Sequence, residues 1–409
     1  MKLFIKGRSG GKLGVSAGIA LTVSNMVGTG AFTSLGYQLY DGSSVWSVAL
    51  LWILGGATAF CGAVAYYNLI LRYPGSGGET HFVTQMYGRS WGHAVALLSI
   101  VFGFMAPIAL SAIAFASYMR TLIPWDLKIL ASLAIVLVSL VHLLSLTVRG
   151  AFQTGLAVVK IGMILLFIIG GLLHIGDPKT LNGTIQNEQL SPIFTAPFLG
   201  ALMFVHYAYS GWNTSVYIFD QLENKRTVYF SLFLSVVLVT VLYVLLNLVF
   251  MYSVDVDLLR GVTEVGQVVG NAVFGPVYGG VVVSIIGLLL IGNVSAMIWA
   301  GAQVSLRYKE LLWSGDTSER NNSLHLLIIA VGSIFFVLKY DFEVLLLITS
   351  CILSLVSVAV VLGLFRIPLR QQKPNDLAFS TKICVICYAV MMLLSSIYIL
   401  IYAICYSSR

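Results

Sequence analysis

Charge is scarce in this chain. Only 10% of its 409 residues are Asp, Glu, Lys or Arg, against about 25% in a soluble domain. With 58% hydrophobic residues and a mean hydropathy of +0.94, a soluble globular protein is excluded. Acidic residues are missing from the middle of every apolar run; Asp220 and Glu223 fall at the cytoplasmic end of the sixth. That gap removes the counter-charge a cationic substrate requires. No paired intramembrane carboxylates, suitably spaced Ser–His couple or metal cluster is present, so an intramembrane enzyme is not expected. The five cysteines (Cys61, Cys351, Cys384, Cys387 and Cys405) all lie in apolar segments. Cys384 and Cys387 have redox or metal spacing, but no second pair accompanies them, and they read as packing residues. Pro74-Gly75-Ser76-Gly77-Gly78 has neither a following Lys-Ser/Thr nor a preceding strand, which marks a tight turn rather than a phosphate cradle. No small-residue cleavage site follows the basic start (Lys2, Lys6, Arg8, Lys12), so no signal peptide is expected. No cofactor is implied.

What is present is helix for a membrane. A bilayer core of about 30 Å takes roughly 20 apolar residues per helix. Eleven such segments are expected, at about 14–39, 45–71, 92–120, 129–147, 151–174, 197–219, 229–252, 276–304, 323–339, 343–365 and 382–406. The reading is an all-α, multi-pass protein of the cell membrane, one transmembrane domain over 1–409. With the N-terminus inside, 16 of the 23 Lys and Arg fall in cytoplasmic loops and six outside, with Lys160 alone in a span. This follows the positive-inside rule. The net charge of +7 thus reflects topology and anionic lipid, with no nucleic acid partner.

Two glycine breaks interrupt the apolar runs. Met26-Val27-Gly28-Thr29-Gly30-Ala31-Phe32 lies in the first segment, and Tyr207-Ala208-Tyr209-Ser210-Gly211-Trp212-Asn213 in the sixth. Unwound backbone at membrane depth is tolerated where it faces a cavity or a ligand. Breaks five helices apart suggest two five-helix repeats of opposite orientation, about 14–174 and 197–365, with an extra helix at 382–406.

In the first break, Gly28 and Gly30 permit unusual backbone angles. A half-helix beginning near Ala31 would present amides and a positive dipole end to a carboxylate, and Thr29 adds a hydroxyl. The alternative is close helix packing through small residues. In the second break, Tyr207, Ala208, Ser210 and Gly211 would expose carbonyls suited to an ammonium group. Tyr209 and Trp212 are aromatics placed to close over a ligand, or else members of an interfacial belt. Carboxylate donors on one side and ammonium acceptors on the other describe a zwitterion, an α-amino acid. Lys160 lies about nine residues into the fifth segment. Its ammonium either snorkels to the surface or bridges the broken first helix to the scaffold, in the place a sodium ion would otherwise take.

His142, His206, Asn247, Asn293 and Gln303 are read as interhelical hydrogen-bonders, with His206 singled out because it adjoins the second break. Residues 74–90 form a turn and a weakly amphipathic stretch; Leu258–Val269 is expected to be a short helix capping an outer vestibule. Asn182-Gly183-Thr184 is a sequon without weight.

The chain resembles permeases of the amino acid–polyamine–organocation superfamily, nearest the L-type and related bacterial amino acid permeases. Val27-Gly28-Thr29-Gly30-Ala31-Phe32 is similar to the family's Ile-Gly-Ser-Gly-Ile-Phe, and Tyr207–Asn213 to its Phe-Ala-Tyr-x-Gly-Trp-Asn. Glu223-Asn224-Lys225-Arg226 and the Pro74–Gly78 turn also match, and Lys160 falls where many members carry a lysine. The resemblance implies a five-plus-five inverted repeat of the leucine-transporter type. By it, the substrate carboxylate sits on the amides of Gly28, Thr29 and Gly30, beside Met26. The amino group sits on carbonyls near Tyr207, Ala208 and Ser210, while Tyr209, Trp212 and Lys160 serve gating and coupling. Eleven helices replace the usual twelve, which would put the C-terminus outside, and Phe219-Asp220 replaces an acidic pair. The expected function is alternating-access transport of neutral L-amino acids, without sodium, by exchange or with protons. The alternatives are a polyamine or cationic amine permease and a non-transporting amino acid receptor.

Overall fold

The computed structural model describes residues 12–40, 43–120, 122–143, 146–175, 195–312, 322–366 and 378–407. Lys2, Lys6, Arg8, Lys179, Arg320, Arg370, Lys373, Arg409 and the Asn182-Gly183-Thr184 sequon lie outside them. So do the side chains of Arg149, Gln303, Arg307, Lys309 and Cys405.

The described chain is a helical bundle. Seven of its helices are long and apolar enough to cross a membrane: Val15–Thr33, Val45–Arg72, Arg89–Met119, Lys225–Ser253, Tyr278–Leu306, Phe342–Phe365 and Phe379–Ile401. Four shorter apolar helices, Leu127–Val141, Val158–His174, Ala196–Ala208 and Ser323–Lys339, accompany them. Each falls on one of the apolar segments expected from the sequence.

The elements that place the breaks are few. α1 (Val15–Met26), α2 (Gly30–Thr33) and α3 (Leu35–Gln38) make up the first segment. α4 (Val45–Arg72) opens on a Ser44–Ser47 capping box and leads to α5 (Gly78–Tyr87). α6 (Arg89–Ile100) runs through a π-helical turn, Val101–Met105, into α7 (Ala106–Met119). α8 (Leu127–Val141) and α9 (Leu146–Ile175) follow. The sixth segment is α10 (Ala196–Ala208) and α11 (Thr214–Tyr217), followed by α12 (Lys225–Ser253). α13 (Val265–Leu312) is kinked at Gly275, and α14 (Asn322–Lys339), α15 (Phe342–Leu362) and α16 (Phe379–Ser407) close the bundle.

The helix expected over Leu258–Val269 is corrected. A single 3₁₀ turn spans Val256–Leu258, and α-helix starts only at Val265. Gly261, at φ 70°, turns the chain so that its amide donates to the Gly36 carbonyl at 2.9 Å. That contact seats the loop on the end of the first segment instead of letting it continue as helix.

The two ends of the bundle differ. At one end Leu13 pairs with Leu222, and Arg366 lies over the Tyr87 ring at 5.1 Å. Tyr87 donates to the Ala359 carbonyl, and the amide of Ser76 donates to Asp220 at 3.1 Å. These are the segments expected in the cytoplasm. The Gly36–Gly261 contact and the Lys128 bond to the Leu338 carbonyl mark the other end.

Candidate functional site

The first break is short and uncoiled. α1 ends at Met26, Val27 is extended, and helix resumes at Gly30. Among the described residues no backbone carbonyl pairs with the amides of Gly28, Thr29 or Gly30. One sequence expectation changes here. Neither Gly28 nor Gly30 has positive φ; Gly30 serves close approach, while Gly28 has room for a Cβ. A Cβ on Gly30 would stand 2.7 Å from the Cα of Ala208, and one on Gly28 would stand 3.4 Å from Asn293 Nδ2. The half-helix after the break starts at Gly30 and bends at Ser34, whose backbone stays in the right-handed helical region, before continuing as α3 to Gln38. The Ser34 hydroxyl donates back to the Gly30 carbonyl at 2.6 Å. For an anion the break offers the amides of Thr29 and Gly30, while the Gly28 amide is turned to the Tyr243 hydroxyl.

Side chains pin this break from several helices. Thr29 and Ser111 of α7 have hydroxyls 2.6 Å apart, and Tyr118 donates to the Phe32 carbonyl at 2.9 Å. Lys160 of α9 is buried, with Nζ donating to Asn293 Oδ1 of α13 and to the Ser24 carbonyl at 3.4 Å. The lysine therefore does not snorkel. Its charge ties α1, α9 and α13 together just before the break.

The second break carries the left-handed residue. Gly211 has φ 95°, and a Cβ there would meet Asn25 Nδ2 at 2.7 Å. The Tyr207 carbonyl accepts from the Ser210 amide at 2.9 Å. Ala208 packs directly on Gly30. Toward the cytoplasmic end, Asn25 Nδ2 donates to Thr214 Oγ1 at 2.6 Å, and Thr22 and Ser215 hydroxyls lie 2.8 Å apart. The breaks thus touch along their length.

Tyr209 and Trp212 are 1% and 6% exposed, which rules out an interfacial belt. Both rings pack on α4. Tyr209 donates to the Trp52 carbonyl at 2.9 Å, and Trp212 meets Tyr66 edge-on at 4.8 Å. His206 is buried with both ring nitrogens unpartnered among the described residues. His142 lies 3.0 Å from the Ser295 hydroxyl. Asn247 is corrected: it donates to the Tyr243 carbonyl of its own helix rather than across helices.

Two residues escaped the sequence reading. Glu79, in the first turn of α5, is only 6% exposed. Its carboxylate accepts from Tyr66 at 2.9 Å, from Asn213 at 2.5 Å and from Tyr217. It fastens the inner part of the second break to α4 and α5. The signal was a lone acid directly behind a glycine turn; its burial arises only when α11 folds over it. Tyr243, in mid-span on α12, is fully buried, with its hydroxyl 2.8 Å from the Met26 carbonyl. A phenol at that depth must find a partner, and that rule could have flagged it.

Both ends of the site are covered. On the outer side Tyr37 bonds Thr263 at 2.6 Å and stacks on Phe342 at 5.4 Å. A cavity of about 190 Å³ lies beside it, lined by Tyr37, Ser117, Lys128, Thr263 and Asp341 among others. On the inner side lie the Glu79 cluster and the reciprocal Ser76–Asp220 bonds. Among the described residues no His, Cys, Asp and Glu group could hold a metal ion.

Comparison with known proteins places this architecture. The family model described as amino acid permease matches residues 13–408. The human b(0,+)-type amino acid transporter 1 is 27% identical over 252 residues, covering 58% of this chain and 50% of the relative. The rabbit (Oryctolagus cuniculus) large neutral amino acids transporter small subunit 2 is 25% identical over 279 residues, 64% of this chain and 51% of the relative. The serine/threonine exchanger SteT of Bacillus subtilis is 24% identical over 290 residues, 68% and 64% respectively. The chain spans about half the length of the first of these curated relatives. A match running almost end to end, on a bundle of apolar helices, makes the chain a multi-pass cell-membrane protein that belongs to the amino acid permease family.

Proposed function

We propose that the chain is an alternating-access transporter of neutral L-amino acids that works without sodium, by exchange or with protons. One observation carries the reading: the amides of Gly28–Gly30, none of them paired with a backbone carbonyl among the described residues, face a second break across the Gly30–Ala208 contact. Amides that lack partners in a low-dielectric site favour a carboxylate. The names of the relatives support the amino acid half of the reading. In it, the amides of Gly28, Thr29 and Gly30 take the carboxylate beside Met26, and the ammonium meets carbonyls of Tyr207, Ala208 and Ser210. Segments 14–174 and 197–365 act as inverted repeats with 382–406 outside them, and the five-plus-five leucine-transporter arrangement is part of the proposal. Lys160 holds the first break where another transporter would use a cation. Glu79 does not argue for cationic substrates, because three donors already occupy its oxygens.

The test is uptake of a panel of labelled amino acids into proteoliposomes, with and without internal amino acid, a pH gradient, and choline in place of sodium. Saturable uptake of neutral amino acids that survives choline is expected. Strict sodium dependence would remove Lys160 from its role, and binding without counterflow would make the protein a receptor.

A further inference from the structure

Tyr243 lies halfway along α12, and its hydroxyl stands between the two breaks. It is 2.8 Å from the carbonyl oxygen of Met26 and 3.3 Å from that of Ala208. Met26 is the last residue of α1, and Ala208 is the last residue of α10. These carbonyls have lost the amide that a continuing helix would supply. The Gly28 amide is turned to the same phenol oxygen. One hydroxyl therefore donates toward both helix ends and accepts from the first break. Edge-on contacts with Trp52 at 5.0 Å and Tyr209 at 5.4 Å hold the ring there.

Carbonyls left open in a dry interior are costly, so the breaks need a partner while no ligand is bound. A phenol supplies one proton for two carbonyls. An α-ammonium group supplies three donors and a full charge, and charge-assisted bonds are roughly twice as strong. It outcompetes the phenol; a neutral or anionic ligand does not.

Resting on the amino acid reading above, we infer that Tyr243 is an internal stand-in for the substrate ammonium. It pairs the Met26 and Ala208 carbonyls in the empty protein and yields them when an amine enters. Tyr243 is thus a specificity-determining residue: it makes displacement conditional on an α-amino group.

The experiment is equilibrium binding to purified protein of L-leucine and L-alanine, and of their desamino counterparts 4-methylpentanoate and propionate. In Tyr243→Phe the carbonyls lose their competitor. All four ligands gain the freed Gly28 amide for their carboxylate, and binding of the two amino acids is expected to tighten roughly 2- to 10-fold more than that of the two desamino acids, the worth of one hydrogen bond. An equal shift for all four ligands, or weaker amino acid binding, overturns the assignment. If the variant does not insert, 3-fluorotyrosine at position 243 of the otherwise unchanged chain gives the second readout. Its fluorine resonance is expected to move with L-leucine and stay put with 4-methylpentanoate; no movement with L-leucine overturns the inference. Absence of any amino acid binding to the unsubstituted protein instead overturns the amino acid reading itself.

Discussion

Adding one methyl group to Gly30 should separate the two breaks. The new Cβ would lie 2.7 Å from both Cα and Cβ of Ala208. Because one of those atoms is backbone, no rotamer change relieves the clash. Restoring ordinary contact at 3.4 Å requires a movement of about 0.7 Å between α2 and α10. Overpacking on this scale costs about 1–3 kcal/mol, a factor of roughly 5 to 150 in the population of the closed arrangement. Gly28→Ala is the control, because its Cβ would meet only Asn293 Nδ2 at 3.4 Å. Thermal unfolding in detergent and initial uptake rates separate the two. Gly30→Ala should lower both the unfolding temperature and the maximal rate. Gly28→Ala should leave the unfolding temperature unchanged and raise the half-saturation concentration, since it touches an amide proposed for the carboxylate. A Gly30→Ala protein with unchanged stability and rate would refute the contact between the breaks.

Two further substitutions probe the supports of the site. Lys160→Met removes a charged donor from Asn293 Oδ1 and the Ser24 carbonyl; with bonds of about 1.5–3 kcal/mol at stake, uptake should be abolished while the protein still inserts, and normal uptake would contradict the bridge. Glu79→Gln replaces one acceptor oxygen by a donor facing Tyr66, Asn213 or Tyr217; stability should fall by about 1–3 kcal/mol, and Tyr217→Phe should fall less, both read from unfolding in detergent.

The breaks were legible because a break is local: small residues inside an apolar run stand out without knowledge of any neighbour. The same locality left their purpose open. A glycine chosen for its φ and one chosen for contact look alike in sequence, and only the backbone separates Gly211, at φ 95°, from Gly30, packed on Ala208 without a positive φ. The half-helix expected to begin near Ala31 starts at Gly30, and the bend at Ser34, where the hydroxyl donates to the Gly30 carbonyl, has no mark in the sequence. Lys160 was legible as a charge at depth, but its partners lie on α1 and α13. Glu79 and Tyr243 carried weaker signals for a related reason. Each is unremarkable in its own segment, and each acquires meaning only where three helices converge.

The closures at the two ends have a consequence for how the protein senses its surroundings. The outer one is a tyrosine–threonine bond and a ring stack, and the inner one is hydroxyls, amides, the shielded carboxylate of Glu79 and the exposed one of Asp220, which meets an amide and no cation. The ion pair found among the described residues, Arg260–Asp257, is solvent-exposed and joins residues of one turn. Dissolved ions screen exposed charges over about 10 Å at 0.1 M, but they have little hold on dipoles buried between helices. The opening and shutting of this protein should therefore run at nearly the same rate in dilute and in concentrated salt.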